Sequence, residues 1–389
     1  MSRRLNIWFV SSYPPRKCGI ATFTNSLMKA LSNFIDGEGL NVLAVESYRV
    51  DGYGPEVKFR LEKNRLESYR SAADRVNRSK AEVVHLQHEF GLFGGEWGSD
   101  ILEFLERVEK PIVTTFHTVL PRPEPVVWRV VRDISRLSSQ VIVMARTAVD
   151  ILVRDYGVPS DKISFIPHGC PDVPFSPPEP FKRLLGLEGR FILSTFGLLS
   201  PGKGIEYAIE ALPRLVEKEP KILYIVAGET HPEVKRHQGE SYRKRLISLV
   251  KRLRLEKHVM FYDKYLSDEE LTLLLRATDV YLTPYLGRNQ ITSGTLTYAM
   301  GVGKAIVSTP YLYAVELLRN ERGLLCDFED SESIAASAEK LMTDEWLRRR
   351  LEVEAYRFSR DMIWPVVAKK HVDLYAKVLK LEMEKTILT

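Results

Sequence analysis

The chain has 389 residues, 44% of them hydrophobic and 28% charged, with a formal net charge of +5. One hydrophobic core rarely grows that large, so two domains are expected, each with an ordinary globular composition. The modest positive charge fits anionic small molecules or an acidic surface, and no concentrated basic face with interleaved aromatics argues for nucleic acid. The three cysteines, Cys18, Cys170 and Cys326, lie far apart and form no C-x-x-C pair. A zinc knuckle is therefore not expected, and reduced thiols in a cytoplasm are. The first apolar run, Leu5 to Val10, is too short for a signal peptide, and no run approaches the ~20 apolar residues of a membrane span.

Short, nearly unbroken apolar runs alternate with amphipathic helical stretches. Predicted strands are Leu5 to Val10, Val42 to Val45, Val83 to Leu86, Ile112 to Phe116, Val141 to Met144 and Ile163 to Ile166. Helical patterns such as Ala21 to Phe34 and Ile101 to Val108 separate them. Such alternation predicts a parallel sheet covered on both faces. Cys170 to Pro180 carries five prolines and reads as a linker. A second series follows: Phe191 to Phe196, Leu223 to Ala227, Val259 to Tyr262, Val280 to Leu282 and Ala305 to Ser308. Trp364 to Lys385 closes the chain as one amphipathic helix. The expected organisation is α/β, with two Rossmann-like domains, 1–175 and 176–363, facing across a cleft, and a helix over 364–389 crossing back to the first.

Ligands of such sheets bind at the carboxyl ends of the strands, so the loops there are the candidates. After the first strand comes Pro14-Pro15-Arg16-Lys17-Cys18-Gly19, where Gly19 and a helix N-terminus could admit an anion or form only a turn. Thr115-Phe116-His117 ends the fourth strand and aims His117 at the ligand side. Phe196-Gly197-Leu198-Leu199-Ser200-Pro201-Gly202-Lys203-Gly204 nearly matches a phosphate-binding P-loop, but Gly204 stands where a magnesium-binding hydroxyl is required. Lys203 at this helix start suits a diphosphate, against the alternative of a surface lysine. Arg288 to Thr295 is a polar run opening a helix, and Ser293, Gly294 and Thr295 form a second candidate anion nest. An ordinary N-cap would account for Thr292 or Ser293 but not for the whole polar run. Glu316 follows as a helix-start carboxylate. His85, Gln87, His88 and Glu89 lie at a strand end, and H-x-x-H on a strand lacks the helical geometry of a zinc site. They read as ligand-side lining. No D-x-D tripeptide is present, so a metal-diphosphate clamp is not expected. The basic stretch Arg243 to His258 reads as a solvated helix face, with a peripheral membrane contact as the alternative.

Taken in order, P-P-x-x-x-G, T-x-H, I-P-H-G (Ile166 to Gly169), F-G-x-L-x-x-x-K-G and A-M-x-x-G-K (Ala299 to Lys304) resemble the retaining glycosyltransferases of family 4, which have the GT-B fold. The resemblance spans nearly the whole chain. It implies a hexosyl transfer from a nucleoside-diphosphate sugar, UDP-glucose or GDP-mannose, to a carbohydrate or small hydroxylated acceptor, with retention and without a metal. The donor would contact Gly19, Gly197, Lys203, Gln290, Ser293, Gly294, Thr295, Tyr298 and Glu316. His117 would orient the sugar and Lys203 would stabilise the leaving diphosphate, while His88, Glu89 and His168 would line the acceptor side. The sequence departs from the family at Leu198, where arginine is usual, and at Gln290 and Tyr298, where a pair of glutamates is usual. A P-loop NTPase, a sugar-nucleotide epimerase of the same fold and a non-catalytic nucleotide-sugar or glycan-binding protein are the competing readings.

Overall fold

A computed structural model describes residues 5–388, with side chains through residue 384. The chain divides into two compact units: one runs to Gly169 and resumes at Trp364, and the other is Cys170–Ile363. The division thus falls six residues before the expected 175/176 boundary. The whole proline-rich segment lies inside the second unit, and Pro180 already belongs to the first turn of the helix Glu179–Leu185. Proline fits there because the N–H it lacks would have had no helical partner.

The first unit holds a seven-stranded sheet ordered β3-β2-β1-β4-β5-β6-β7. Its strands are β1 (Ile7–Ser11), β2 (Leu40–Glu46), β3 (Val57–Glu62), β4 (Val83–His88), β5 (Ile112–Phe116), β6 (Gln140–Val143) and β7 (Ile163–Phe165). Every neighbouring pair is parallel. The sequence reading missed β3, and the reason is physical. It is an edge strand whose Val57, Phe59 and Leu61 alternate with Lys58, Arg60 and Glu62, unlike the continuous apolar runs of the central strands.

The final helix, Trp364–Leu388, belongs to this unit. It packs on the helix Gly19–Leu31, placing Val367, Ala368, Tyr375 and Val378 in the core beside Phe23, Leu27 and Leu31. Gly169 fits the same seam, because a Cβ there would come within 2.2 Å of the Trp364 indole.

The second unit holds a six-stranded parallel sheet ordered β10-β9-β8-β11-β12-β13. Its strands are β8 (Phe191–Phe196), β9 (Ile222–Ala227), β10 (Val259–Tyr262), β11 (Val280–Thr283), β12 (Ala305–Ser308) and the two-residue β13 (Leu324–Leu325). The expected solvated face of the 243–258 stretch is corrected at its first residue. Arg243 is only 5% exposed, donating to the Gly228 carbonyl at 2.7 Å and pairing with Asp263 at 2.7 Å.

A buried ion pair fastens this unit where its first helix meets its sheet. Lys182 lies 2.7 Å from Asp279, and both side chains are over 90% buried. The Asp279 carboxylate also accepts from the Ile192 N–H at 2.6 Å, at the start of β8. Lys304 donates to the Thr278 carbonyl nearby at 3.1 Å, and burial pulls its pKa down to about 8. Removing one member of a buried pair leaves the other charge uncompensated. Asp279→Ala should therefore lower the unfolding free energy by about 3–5 kcal/mol, as measured by urea denaturation. A loss below about 1 kcal/mol would show that the pair is not structural.

Candidate active site

In the second unit, β8 delivers Phe196 and then Gly197, which adopts φ +124 and faces the Thr295 methyl, 3.4 Å from where a Cβ would stand. The chain makes a short 3-10 turn, Pro201–Lys203, before Gly204 opens the helix Ile205–Lys218. Gly204 takes φ +62, and a Cβ there would lie 2.0 Å from the Pro284 carbonyl oxygen. This explains the departure from the P-loop pattern: no side chain fits, so no magnesium-binding hydroxyl can stand there.

Lys203 is half-buried, with its ammonium 3.8 Å from the centre of the Tyr285 ring. Tyr285 follows β11 and stacks on Tyr311 with ring centres 5.5 Å apart. Its hydroxyl bonds Thr295 Oγ1 at 2.7 Å, and Thr295 Oγ1 lies 3.1 Å from Ser293 Oγ. Burial alone would raise the Tyr285 phenol, but the Lys203 charge and hydrogen bonds bring it below its ordinary value. Ser293 is also the N-cap of the helix Gly294–Gly301, accepting from the Leu296 N–H at 3.3 Å. The structure thus joins Gly197, Lys203, Ser293 and Thr295 into one cluster, with Gly294 between the last two, and adds Tyr285. The signal for Tyr285 was its place just past a strand end, in Thr283-Pro284-Tyr285.

Gln290, Glu316 and Tyr298 are the other candidates of this unit. The Gln290 amide donates to the Thr292 carbonyl at 3.1 Å, and its backbone carbonyl receives the Tyr313 N–H at 3.1 Å. Glu316 is half-exposed on the helix Leu312–Leu318. Tyr298 is 5% exposed, with its backbone one turn inside its helix.

In the first unit, β4 and β5 bring His117, Gln87 and His85 together. His117 Nε2 lies 2.8 Å from Gln87 Oε1, and the His117 N–H donates to the His88 carbonyl at 2.9 Å. Phe23 presents its ring edge-on to His117 at 4.9 Å and to His168 at 5.0 Å. His168 Nδ1 donates to the Gly169 carbonyl at 2.7 Å. Burial lowers His117 to about 3 and His168 to about 4, so both are neutral imidazoles. Glu89 is half-buried, accepts from the Thr118 hydroxyl at 2.7 Å and is raised by desolvation.

His88 corrects the expectation of a ligand-side lining. It is fully buried, caged by Phe90, Phe93 and Phe116, and neither ring nitrogen has a hydrogen-bond partner. Strand alternation turns it away from the side that Gln87 faces. At Gly19 a Cβ would meet nothing within 4 Å, so packing does not demand the glycine. The helix cap there is Cys18, whose sulfur accepts from the Ala21 N–H at 3.4 Å. Sequence reasoning also passed over Trp97, which takes φ +53 between Gly95 and Gly98 and is 38% exposed. The signal was the flanking glycine run. Among the described residues no group of three His, Cys, Asp or Glu could hold a metal, and no helix is long and apolar enough to cross a membrane.

The Gly204 geometry generates a test. Gly204→Ser restores the P-loop hydroxyl but forces a side chain into the left-handed region and against Pro284. It should cost at least about 1–2 kcal/mol of stability and confer no magnesium-dependent NTP hydrolysis, read by thermal melting and phosphate release. Unchanged melting with new hydrolysis would contradict the fit described.

Comparison with known proteins places these clusters in context. The model of Glycosyl transferases group 1 matches residues 179–358, and that of Glycosyltransferase Family 4 matches 33–172. A phosphatidyl-myo-inositol mannosyltransferase of Mycolicibacterium smegmatis is 27% identical over 278 residues, 70% of this chain and 67% of that protein. A mannosylfructose-phosphate synthase of Agrobacterium fabrum is 28% identical over 246 residues, 61% of this chain and 52% of that one. The chain thus spans about half to two thirds of the length of such curated relatives. Among solved structures, sucrose-phosphate synthase from Thermosynechococcus elongatus superimposes with a TM-score of 0.77 at 17% identity, covering 97% of this chain and 100% of that one. Anabaena HepE in complex with UDP and glucose gives 0.75 at 16% identity, covering 96% and 100%. These likenesses show the GT-B fold. With one family model over most of the first sheet and another over the second, the chain belongs to the group 1 glycosyltransferases of family 4.

Proposed function

We propose that this protein transfers a hexosyl group from a nucleoside-diphosphate sugar to an acceptor hydroxyl, with retention of configuration. The observation that carries the reading is the cluster of Lys203, Tyr285, Thr295 and Ser293 at the carboxyl ends of β8 and β11. A fixed cation, hydroxyl donors and a helix N-terminus converge there, as the growing charge of a leaving diphosphate requires. The donor belongs to the second unit and the acceptor to the first. UDP-glucose and GDP-mannose are the donors to test, because HepE was solved with UDP and glucose and the mycobacterial relative is a mannosyltransferase. Transfer proceeds without a metal, since the cation at the diphosphate is Lys203. Retention rests on the family. The proposed location is the cytoplasm, which the three free cysteines support, with a peripheral membrane contact for a lipid-linked acceptor.

The side chains divide the work. Lys203 binds more strongly as the diphosphate gains charge, which lowers the barrier, whereas equal binding throughout would change affinity alone. Tyr285 holds the ammonium over its ring and ties it to the Thr295 nest. Gln290 offers an uncharged contact where the family usually has a carboxylate, and the half-exposed Glu316 contacts the donor from the adjoining helix. The neutral His117 orients the sugar, and Glu89 and His168 serve the acceptor.

Lys203→Ala should lower kcat by on the order of 100-fold in a transfer assay, with folding intact by circular dichroism. Wild-type rates and nucleotide affinity in that variant would refute the phosphate site. Tyr285→Ala should weaken donor affinity, with Tyr285→Phe losing less because the ring still holds Lys203; calorimetric titration with the nucleoside diphosphate checks the order. Transfer should persist in EDTA, and complete loss rescued by manganese would reject the metal-free reading.

A further inference from the structure

The mechanism above leaves unused a run of buried polar groups behind His117. Its Nε2 lies 2.8 Å from Gln87 Oε1, and Gln87 Nε2 lies 3.1 Å from His85 Nε2. The other ring nitrogen of His85, Nδ1, meets the Tyr375 hydroxyl at 2.6 Å, and Thr115 Oγ1 joins at His85 Nε2 at 2.8 Å. Gln87, His85, Thr115 and Tyr375 are all fully buried. The run therefore starts at a strand end, crosses β4 and β5, and finishes on the helix Trp364–Leu388.

An amide has an acceptor at one end and donors at the other, so Gln87 passes a direction along the run. Its oxygen can only accept, so His117 Nε2 must carry the hydrogen. Its nitrogen can only donate, so His85 Nε2 must be bare and His85 Nδ1–H points to Tyr375. A neutral imidazole has one N–H, and the hydrogen bond at one nitrogen decides the state of the other. Here that leaves His117 Nδ1 as an acceptor. His117 remains neutral chiefly because it is buried.

We propose that Gln87 is a positioning residue that holds His117 as the Nε2–H tautomer, so that Nδ1 accepts a hydrogen bond from a substrate hydroxyl, with His85 and Tyr375 anchoring Gln87 from behind. The substrate-facing half of this statement rests on the proposed transferase reading. The tautomer does not.

The two halves are tested separately. Protein labelled with 15N-histidine reports each ring by NMR, with His117 assigned from the signals lost in His117→Ala. The expected result in the free wild-type protein is a protonated Nε2 and a bare Nδ1. A proton on Nδ1 overturns the proposal without any assay of activity. Gln87→Met removes the acceptor at similar volume, and should redistribute the His117 proton between its nitrogens. In the transfer assay it should lower kcat about tenfold or more, the scale of one lost hydrogen bond, with donor KM near the wild-type value. A merely structural role would lower the melting temperature while leaving tautomer and kcat of the folded protein unchanged, and that outcome also overturns the proposal. The tautomer is read on the free protein, so its assignment stands or falls independently of what Lys203→Ala shows about the donor site.

Discussion

Parallel strands cannot be joined by tight turns. Each must be followed by a crossover that returns the chain to the starting edge, and here the crossovers are mostly helical. The loops leaving the strands therefore collect at one edge of each sheet. That constraint places Lys203 after β8, Tyr285 after β11, and Glu89 and His117 after β4 and β5. It also buries the central strands on both faces, giving them the rigidity that a polar cluster at their ends needs. Helix N-termini arrive at the same edge, as with Ser293 capping the helix that begins at Gly294.

The two units use this edge with different electrostatics. The second presents a lysine held by an aromatic ring and linked to hydroxyls, an arrangement that favours anions. The first presents His117 and His168, imidazoles stripped of charge by burial and lowered from the ordinary histidine value. A neutral imidazole neither attracts nor repels a diphosphate, and it offers one donor and one acceptor. Such groups suit uncharged hydroxyls. The proposed division of donor and acceptor between the units rests on the same chemistry.

Packing explains several sequence features that chemistry alone leaves open. Gly204 is forced by the Pro284 carbonyl, Gly169 by the Trp364 indole and Gly197 by its positive φ. Lys304, which closes a family-like motif, is inside the unit and serves its framework through the Thr278 carbonyl. His88 stands in the same run as Gln87 yet lies in an aromatic cage. Neighbouring residues of one strand thus contribute to different parts of the molecule.

The sequence by itself determined the two parallel sheets, because strands buried on both faces must be continuously apolar and crossovers must be amphipathic. Ile112–Phe116, Phe191–Phe196 and Ala305–Ser308 were legible to the residue for that reason. It also marked the strand-end loops, since glycines, hydroxyls and a lysine cluster there. It did not reveal β3, whose one-sided burial gives an alternating pattern, or the inward turn of Arg243. Tertiary structure alone decided which candidates meet. Lys203 and Thr295 are 92 residues apart, and Tyr285, which bridges them, was marked only by its place past a strand end. Tyr375 reaches His85 across 290 residues because the last helix packs against the first unit. Contacts of that separation depend on the order of strands in a sheet and on which helix covers which face, and local periodicity carries neither.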